Sequence, residues 1–279
     1  SIGTERGQYA HITPEVRGSH GYDEWYKTDS DPYPPINPTQ WREYQERRAH
    51  VGHGVDASPL PVPAEVTESA NTVNMAVNWL DHHNQTPFFM WVSMVDPHQP
   101  YVAPEPYFDM FPSGELPERA ADPEAVQAKS WIWRWELEQQ EKHAPGTAEK
   151  WRQFGRVYLG MTRMVDDQIG RLIAHLEERN MLENTVVCII SDHGDYCGDY
   201  GLTRKGVGVP EYLTRVPMVW AGAGVRPHSR ASEAHVSLVD LLPTFCDVVG
   251  APIPRGVQGR SLWPMLTGAV STRLLLVST

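Results

Sequence analysis

An α/β fold with a mostly parallel central sheet and helices on both faces is what the sequence predicts, on three grounds. Short, almost wholly apolar runs at residues 88–95, 185–190 and 217–221 have the length and composition of strands covered on both faces. Between them lie longer segments with apolar residues at helical spacing. An order of strand, helix, strand, helix implies parallel pairing with crossover helices, and polar residues then gather where the strands end.

The elements follow in order. Residues 1–66 are rich in Pro, Gly, His and charge around Asp31-Pro32-Tyr33-Pro34-Pro35, and are expected to form an irregular excursion of the domain. Residues 67–279 are expected to hold its regular α/β part, opening with Thr67 as a helix cap before Val73, Ala76, Val77 and Leu80. Pro87 opens the strand Phe88-Phe89-Met90-Trp91-Val92-Ser93-Met94-Val95, which stops at Asp96-Pro97-His98-Gln99-Pro100-Tyr101. A polar, Trp-bearing helix is predicted over 123–142. A longer one over 148–179 carries the stripe Phe154, Tyr158, Met161, Val165, Ile169, Leu172, Ile173 and Leu176. The strand at 185–190 runs into Ser191-Asp192-His193-Gly194, and a Gly-rich loop fills 195–214. A strand at 217–221, a helix at 237–249 and a last strand at 273–278 complete the expectation.

Composition narrows the function. A hydrophobic share of 41% over 279 residues allows a sizeable core, and the net charge of −11 disfavours a nucleic-acid partner, which needs clustered Lys and Arg. No apolar run approaches the roughly 20 residues of a membrane helix. No leader is visible, and because the chain starts at Ser1 that sets no compartment. Cys188, Cys197 and Cys246 are odd in number and lack CxxC spacing, against both a disulfide framework and a Cys-based zinc site.

Asp192 and His193 are the sharpest chemical feature. A carboxylate and an imidazole directly follow a buried strand, and Gly194 lets the chain turn so that both serve one site. Together they are candidate ligands for a divalent cation. A turn carboxylate beside a satisfied histidine is the competing reading. His98 follows another buried strand, stiffened by Pro97 and Pro100, and is a candidate anion donor or proton donor; an exposed loop histidine is the alternative. Lys205, in Gly201-Leu202-Thr203-Arg204-Lys205-Gly206, is a candidate cation for a sulfate- or phosphate-like group, against the plainer reading of a solvated surface lysine.

The order and context of these pieces resemble the sulfatase family of the alkaline phosphatase superfamily. Asp96 to Tyr101 is similar to that family's loop bearing a sulfate-contacting His, and Ser191 to Tyr196 to its second metal-ligand motif. Gly198-Asp199-Tyr200-Gly201-Leu202 through Lys205 and Gly206 is similar to the loop whose Lys contacts sulfate. Arg215-Val216-Pro217-Met218, Ser237 to Thr244 and Gly256 to Leu262 follow in the family's order, so that the resemblance covers about residues 65–268.

The resemblance implies an alkaline-phosphatase/sulfatase-like fold and a metal-dependent hydrolase of sulfate esters. Asp192 and His193 would be metal ligands, and His98 and Lys205 catalytic and sulfate-binding residues. Arg204 and Tyr200 would be further substrate contacts, Tyr200 standing where the family often has His. The expected ion is Ca, with Mn as the alternative. The expected substrate is a sulfated small molecule or sulfated glycan. The family's nucleophile is a formylglycine made from Cys or Ser in a Cys/Ser-x-Pro-x-Arg motif, and no cysteine here has that context. Its paired acidic residues and its mid-domain Lys and His motif are missing as well. The expectation is therefore a carboxy-terminal portion, inactive alone, of a parent that a formylglycine-generating enzyme matures. His193, where many members have Asn, resembles the branch of phosphonate monoester and phosphodiester hydrolases, which is the alternative function. A non-catalytic pseudoenzyme or binding module is the other.

Overall fold

The computed structural model describes residues 2–5, 24–27, 32–83, 87–206, 208–227 and 234–269. The fold is α/β, as expected, and the chain divides into two compact units: Ser1–Arg179 with Gly194–Thr214, and Asn180–His193 with Arg215–Thr279.

In the first unit β1 (Ile2–Glu5) is the middle strand of a parallel sheet. It pairs with β2 (Glu24–Lys27) on one side and β3 (Met90–Trp91) on the other, with Ile2 opposite both Glu24 and Met90. The apolar run expected as a strand over 88–95 forms a ladder only at these two residues. The cover on both faces that its apolar composition implies is also not seen, since Phe89 and Trp91 are each 39% exposed; ladder length is set by the partner, and β1 offers β3 only Ile2 and Gly3.

Helix α1 (Pro38–Val51) stands inside the stretch expected to be irregular. Asn37 Oδ1 accepts the Thr39 N–H at 2.9 Å and Pro38 opens the first turn, a favourable start for a helix. Its buried face is Trp41, Tyr44 and Arg48, two aromatics and a cation, so no aliphatic stripe announces it. These aromatics pack with Ile36, Leu60, Val62, Val66 and Val102. Helix α2 (Glu68–His82) starts at Thr67 as expected, with Val73, Ala76 and Leu80 buried.

The helix expected over 123–142 is broken. A 3-10 stretch spans Pro123–Ala128, and after Lys129 and Ser130 begins α3 (Trp131–His143). Helix α4 (Trp151–Glu178) agrees with expectation to within three residues at its start and one at its end. Its Phe154, Val157, Met161 and Met164 form a core with Tyr101, Ala103, Tyr107 and Phe108. A short α5 (Glu211–Thr214) closes this unit.

The second unit is built on β4 (Val186–Ile190) and β5 (Met218–Gly222), which lie where apolar composition places them. They pair antiparallel, Val186 opposite Gly222 and Ile190 opposite Met218, so the parallel expectation holds for the first sheet and not for this pair. Strand direction depends on how the chain returns, which composition does not encode. Helices α6 (Leu241–Val249) and α7 (Trp263–Leu266) follow. The fully buried Asp240 accepts the N–H groups of Ser237 at 2.9 Å and Arg260 at 2.8 Å, and Thr244 Oγ1 accepts that of Leu262 at 2.8 Å. The segments 237–244 and 256–262 are thereby stapled, a structural role for two of the segments that carry the resemblance noted above. The strand expected at 273–278 lies outside the described residues. Among the described residues no helix is long and apolar enough to cross a membrane.

Candidate active site

The loop after β3 ends its apolar run on a buried carboxylate. Asp96 accepts from Arg48 Nη1 at 3.2 Å and from Ser69 Oγ at 2.6 Å. The chain then turns, the His98 N–H donating to Val95 O at 2.9 Å, and half-buried His98 places Nδ1 3.0 Å from Gln99 O. A carbonyl only accepts, so Nδ1 carries the proton. Nε2 is left as an acceptor in the neutral ring and as a donor only in the imidazolium.

The loop's far end, Tyr101, is fully buried with its ring edge-on to Phe154. Its hydroxyl donates to Asp195 Oδ2 at 2.7 Å and accepts the Arg204 N–H at 3.0 Å. Asp195 Oδ1 accepts the N–H groups of Arg204 at 2.9 Å and Cys197 at 2.8 Å. Burial, with Asp195 adding its charge, raises the Tyr101 hydroxyl far above the usual phenol range, so it stays a donor. The structure thus brings together, at Tyr101, Asp195 and the Arg204 backbone, the loop bearing His98 and the loop bearing Lys205.

Lys205 itself is exposed, and Arg204, half-buried, has the left-handed φ of 66°. A Cβ on Gly206 would overlap the Glu136 carboxylate, so α3 lays an acid against the backbone beside Lys205. Glu136 was invisible as a site neighbour because its helix is separated in sequence from the loop it covers. Tyr200 is held in an aromatic group, its ring centroid 5.0 Å from that of Trp133 and 6.0 Å from that of Tyr212, with Lys129 Nζ 5.6 Å away.

Asp192 and His193 belong to the second unit, and His98, Tyr200, Arg204 and Lys205 to the first. The pair's side chains converge, with His193 Nε2 3.6 Å from Asp192 Oδ2. Asp192 Oδ1 accepts the His193 N–H at 2.9 Å, and Ser191 Oγ donates to His193 O at 2.7 Å. Two donors bound to one Ca-sized ion at about 2.4 Å stand about 3.4–3.9 Å apart for angles from 90° to tetrahedral, so the pair's spacing fits two donors. Among the described residues no group of three or more His, Cys, Asp or Glu forms a metal-holding cluster, and hard cations want more donors than two. Gly194 packs where only glycine fits, since a Cβ would overlap the Tyr212 carbonyl oxygen, and its φ is not left-handed.

Cys188 and Cys197 are poor nucleophiles. Burial pushes the Cys188 thiol up to about 12, and burial with the Asp195 charge raises Cys197 well above its ordinary value.

A family model described as Sulfatase matches residues 5–251. The chain belongs to the sulfatase family. It is 28% identical over 259 residues to a multifunctional alkaline phosphatase superfamily protein of Trinickia caryophylli, covering 88% of this chain and 50% of that one. To a choline-sulfatase of Rhizobium meliloti it is 28% identical over 286 residues, covering 92% and 53%. To an arylsulfatase of Clostridium perfringens it is 31% identical over 209 residues, covering 72% and 42%. Among solved structures, a phosphonate monoester hydrolase from Silicibacter pomeroyi superposes with a TM-score of 0.74 at 25% identity, over 94% of this chain and 56% of that one. The chain therefore spans about half the length of the curated relatives it matches.

Proposed function

We propose that the chain carries the sulfate-handling loops, and two metal donors, of a metal-dependent hydrolase of sulfate monoesters. The observation that supports this most directly is the Tyr101–Asp195–Arg204 node, which ties the His98 loop to the Lys205 loop. An acid and a cation fixed through one anchor suit an ester whose leaving oxygen needs a proton and whose transferred group bears negative charge. The Nε2–H of protonated His98 would donate to that oxygen, and Lys205 would neutralise charge on the sulfuryl oxygens. Arg204 and Tyr200 would border the substrate. Asp192 and His193 would hold the ion, Ca by preference and Mn as the alternative. When bound, that ion would supply charge neutralisation, and formylglycine the attacking oxygen. The three cysteines do not suit that last role, so this reading places the nucleophile, and its maturation by a formylglycine-generating enzyme, outside these 279 residues. The 279 residues alone are then expected to show no measurable turnover.

The substrate is proposed to be a sulfated small molecule or glycan, since several sulfatase relatives are named for such esters. His193 and the likeness to a phosphonate monoester hydrolase favour a second reading, phosphonate monoesters and phosphodiesters as side or principal substrates. All three are monoanions, which two cationic groups and one metal suffice to balance, whereas a phosphate monoester dianion asks for more. The test is kcat/KM on 4-nitrophenyl sulfate, a phenylphosphonate, a phosphodiester and a phosphate monoester, using an active enzyme that contains this chain. Sulfate is expected first and the phosphate monoester last. Preference for the phosphonate or diester moves the protein to the second reading, and preference for the phosphate monoester sinks the charge argument.

A further inference from the structure

We propose that Arg48 is a positioning residue for His98, acting through Asp96; this rests on the reading of His98 as proton donor. Arg48 lies on α1 and is only 7% exposed. Its Nη1 donates to Asp96 Oδ1 at 3.2 Å and to the Tyr44 hydroxyl at 3.0 Å, and its Nη2 stands 3.9 Å from Glu68 Oε2. Ser69 Oγ holds the other Asp96 oxygen at 2.6 Å. Tyr44, Arg48, Glu68, Ser69 and Asp96 are all buried.

One guanidinium set among two carboxylates away from water is a costly arrangement if stability is its only purpose. Apolar side chains of similar volume commonly do as well. What such a cluster does supply is a single conformation for the segment that carries its charges. Asp96 is two residues before His98, and the turn between them is closed by the hydrogen bond from His98 N–H to Val95 O. Without Arg48, Asp96 would be a buried charge with one hydroxyl donor, and the loop would shift to hydrate it, carrying His98 along. The other end of the same loop is pinned at Tyr101 by Asp195. His98 therefore sits between two pins, and proton donation tolerates displacement of only about 0.5 Å before efficiency falls. Arginine suits the first pin better than lysine, because its planar fork serves Tyr44 and Asp96 while reaching towards Glu68.

The test is a leaving-group series on an active enzyme containing this chain. It sets 4-nitrophenyl sulfate, whose phenolate departs unaided, against an alkyl sulfate whose alkoxide needs the proton. Arg48→Lys and Ser69→Ala are measured alone and on a His98→Ala background. With the alkyl sulfate kcat/KM is expected to fall about tenfold in Arg48→Lys and about threefold in Ser69→Ala, against less than about twofold with the nitrophenyl ester. Both effects should vanish when His98 is Ala. Equal losses on the two esters, or losses that persist without His98, overturn the positioning role. Should Arg48→Lys fail to fold, Ser69→Ala decides alone, since it keeps the charge pair. A His98→Ala enzyme equally impaired on both esters would sink the proton-donor reading, and the positioning role with it, before any Arg48 variant is made.

Discussion

The candidate residues of the two units are held in different ways. The loops bearing His98 and Lys205 are locked by polar nodes, a buried one of Asp96 with Arg48 and Ser69, and a part-buried one of Asp195 with Tyr101 and the Arg204 and Cys197 backbone. The Asp192–His193 turn carries short-range contacts among residues 191–193, and its carboxylate side chain is 85% exposed. The loops of the groups proposed to meet a reacting oxygen are fixed by the fold before substrate arrives, whereas the pair proposed to bind an ion stands at an exposed turn. The contrast teaches that the same residue type, aspartate, is a structural keystone at 96 and 195 and a candidate ligand at 192.

Substitutions at the three aspartates and their partners break or sharpen that contrast. Asp195→Ala is expected to have the largest effect. It strips the acceptor from a fully buried hydroxyl and from two backbone N–H groups, which should cost about 3 kcal/mol in urea unfolding. A loss below about 1 kcal/mol would show that water replaces the carboxylate and that the node is no keystone. Tyr101→Phe should cost about 1–2 kcal/mol, because Asp195 and Arg204 N–H keep each other. Asp192→Ala should stay within about 0.5 kcal/mol of the parent while abolishing Ca or Mn retention by elemental analysis of the active enzyme. Full metal loading in that variant would return Asp192 to the role of a turn residue.

The sequence is legible wherever one element's own pattern settles its place. Apolar runs and stripes located α2, α4, β4, β5 and α6, and the abrupt polar endings located His98 and the Asp192–His193 pair. It is illegible where a partner decides. Helix α1 buries an arginine whose acceptor, Asp96, is 48 residues away, and Tyr101 meets Asp195 across 94 residues. Neither pairing has a local signal, so a charged helix reads as a loop and two anchors read as ordinary motif residues. The antiparallel pairing of β4 with β5 escaped for the same reason: direction lies in the return of the chain rather than in the strand.

The smallest expected effect comes from a second Tyr–Asp pair that isolates exposure as the variable. Tyr107 donates to Asp167 at 2.8 Å, much as Tyr101 does to Asp195, but Asp167 lies on the surface side of α4, where Arg163 also binds it. The Arg163 hydrogen bond first, and that of Tyr107 second, hold the Asp167 carboxyl below its ordinary 3.8. A folded value below the unfolded one means that this stabilisation is complete above about pH 4 and is lost as pH falls through the folded value. Solvent screens so exposed a pair, so Asp167→Asn should cost only a few tenths of a kcal/mol at neutral pH. The gap between parent and variant should narrow as pH falls below the ordinary 3.8 and through the lower folded value, measured by urea unfolding at each pH. A gap that stayed constant into acid would mean that hydrogen-bond geometry, which the amide partly keeps, matters there more than charge. A gap at neutral pH as large as that of Asp195→Ala would remove exposure as the explanation for why one aspartate anchors the fold and the other merely decorates it.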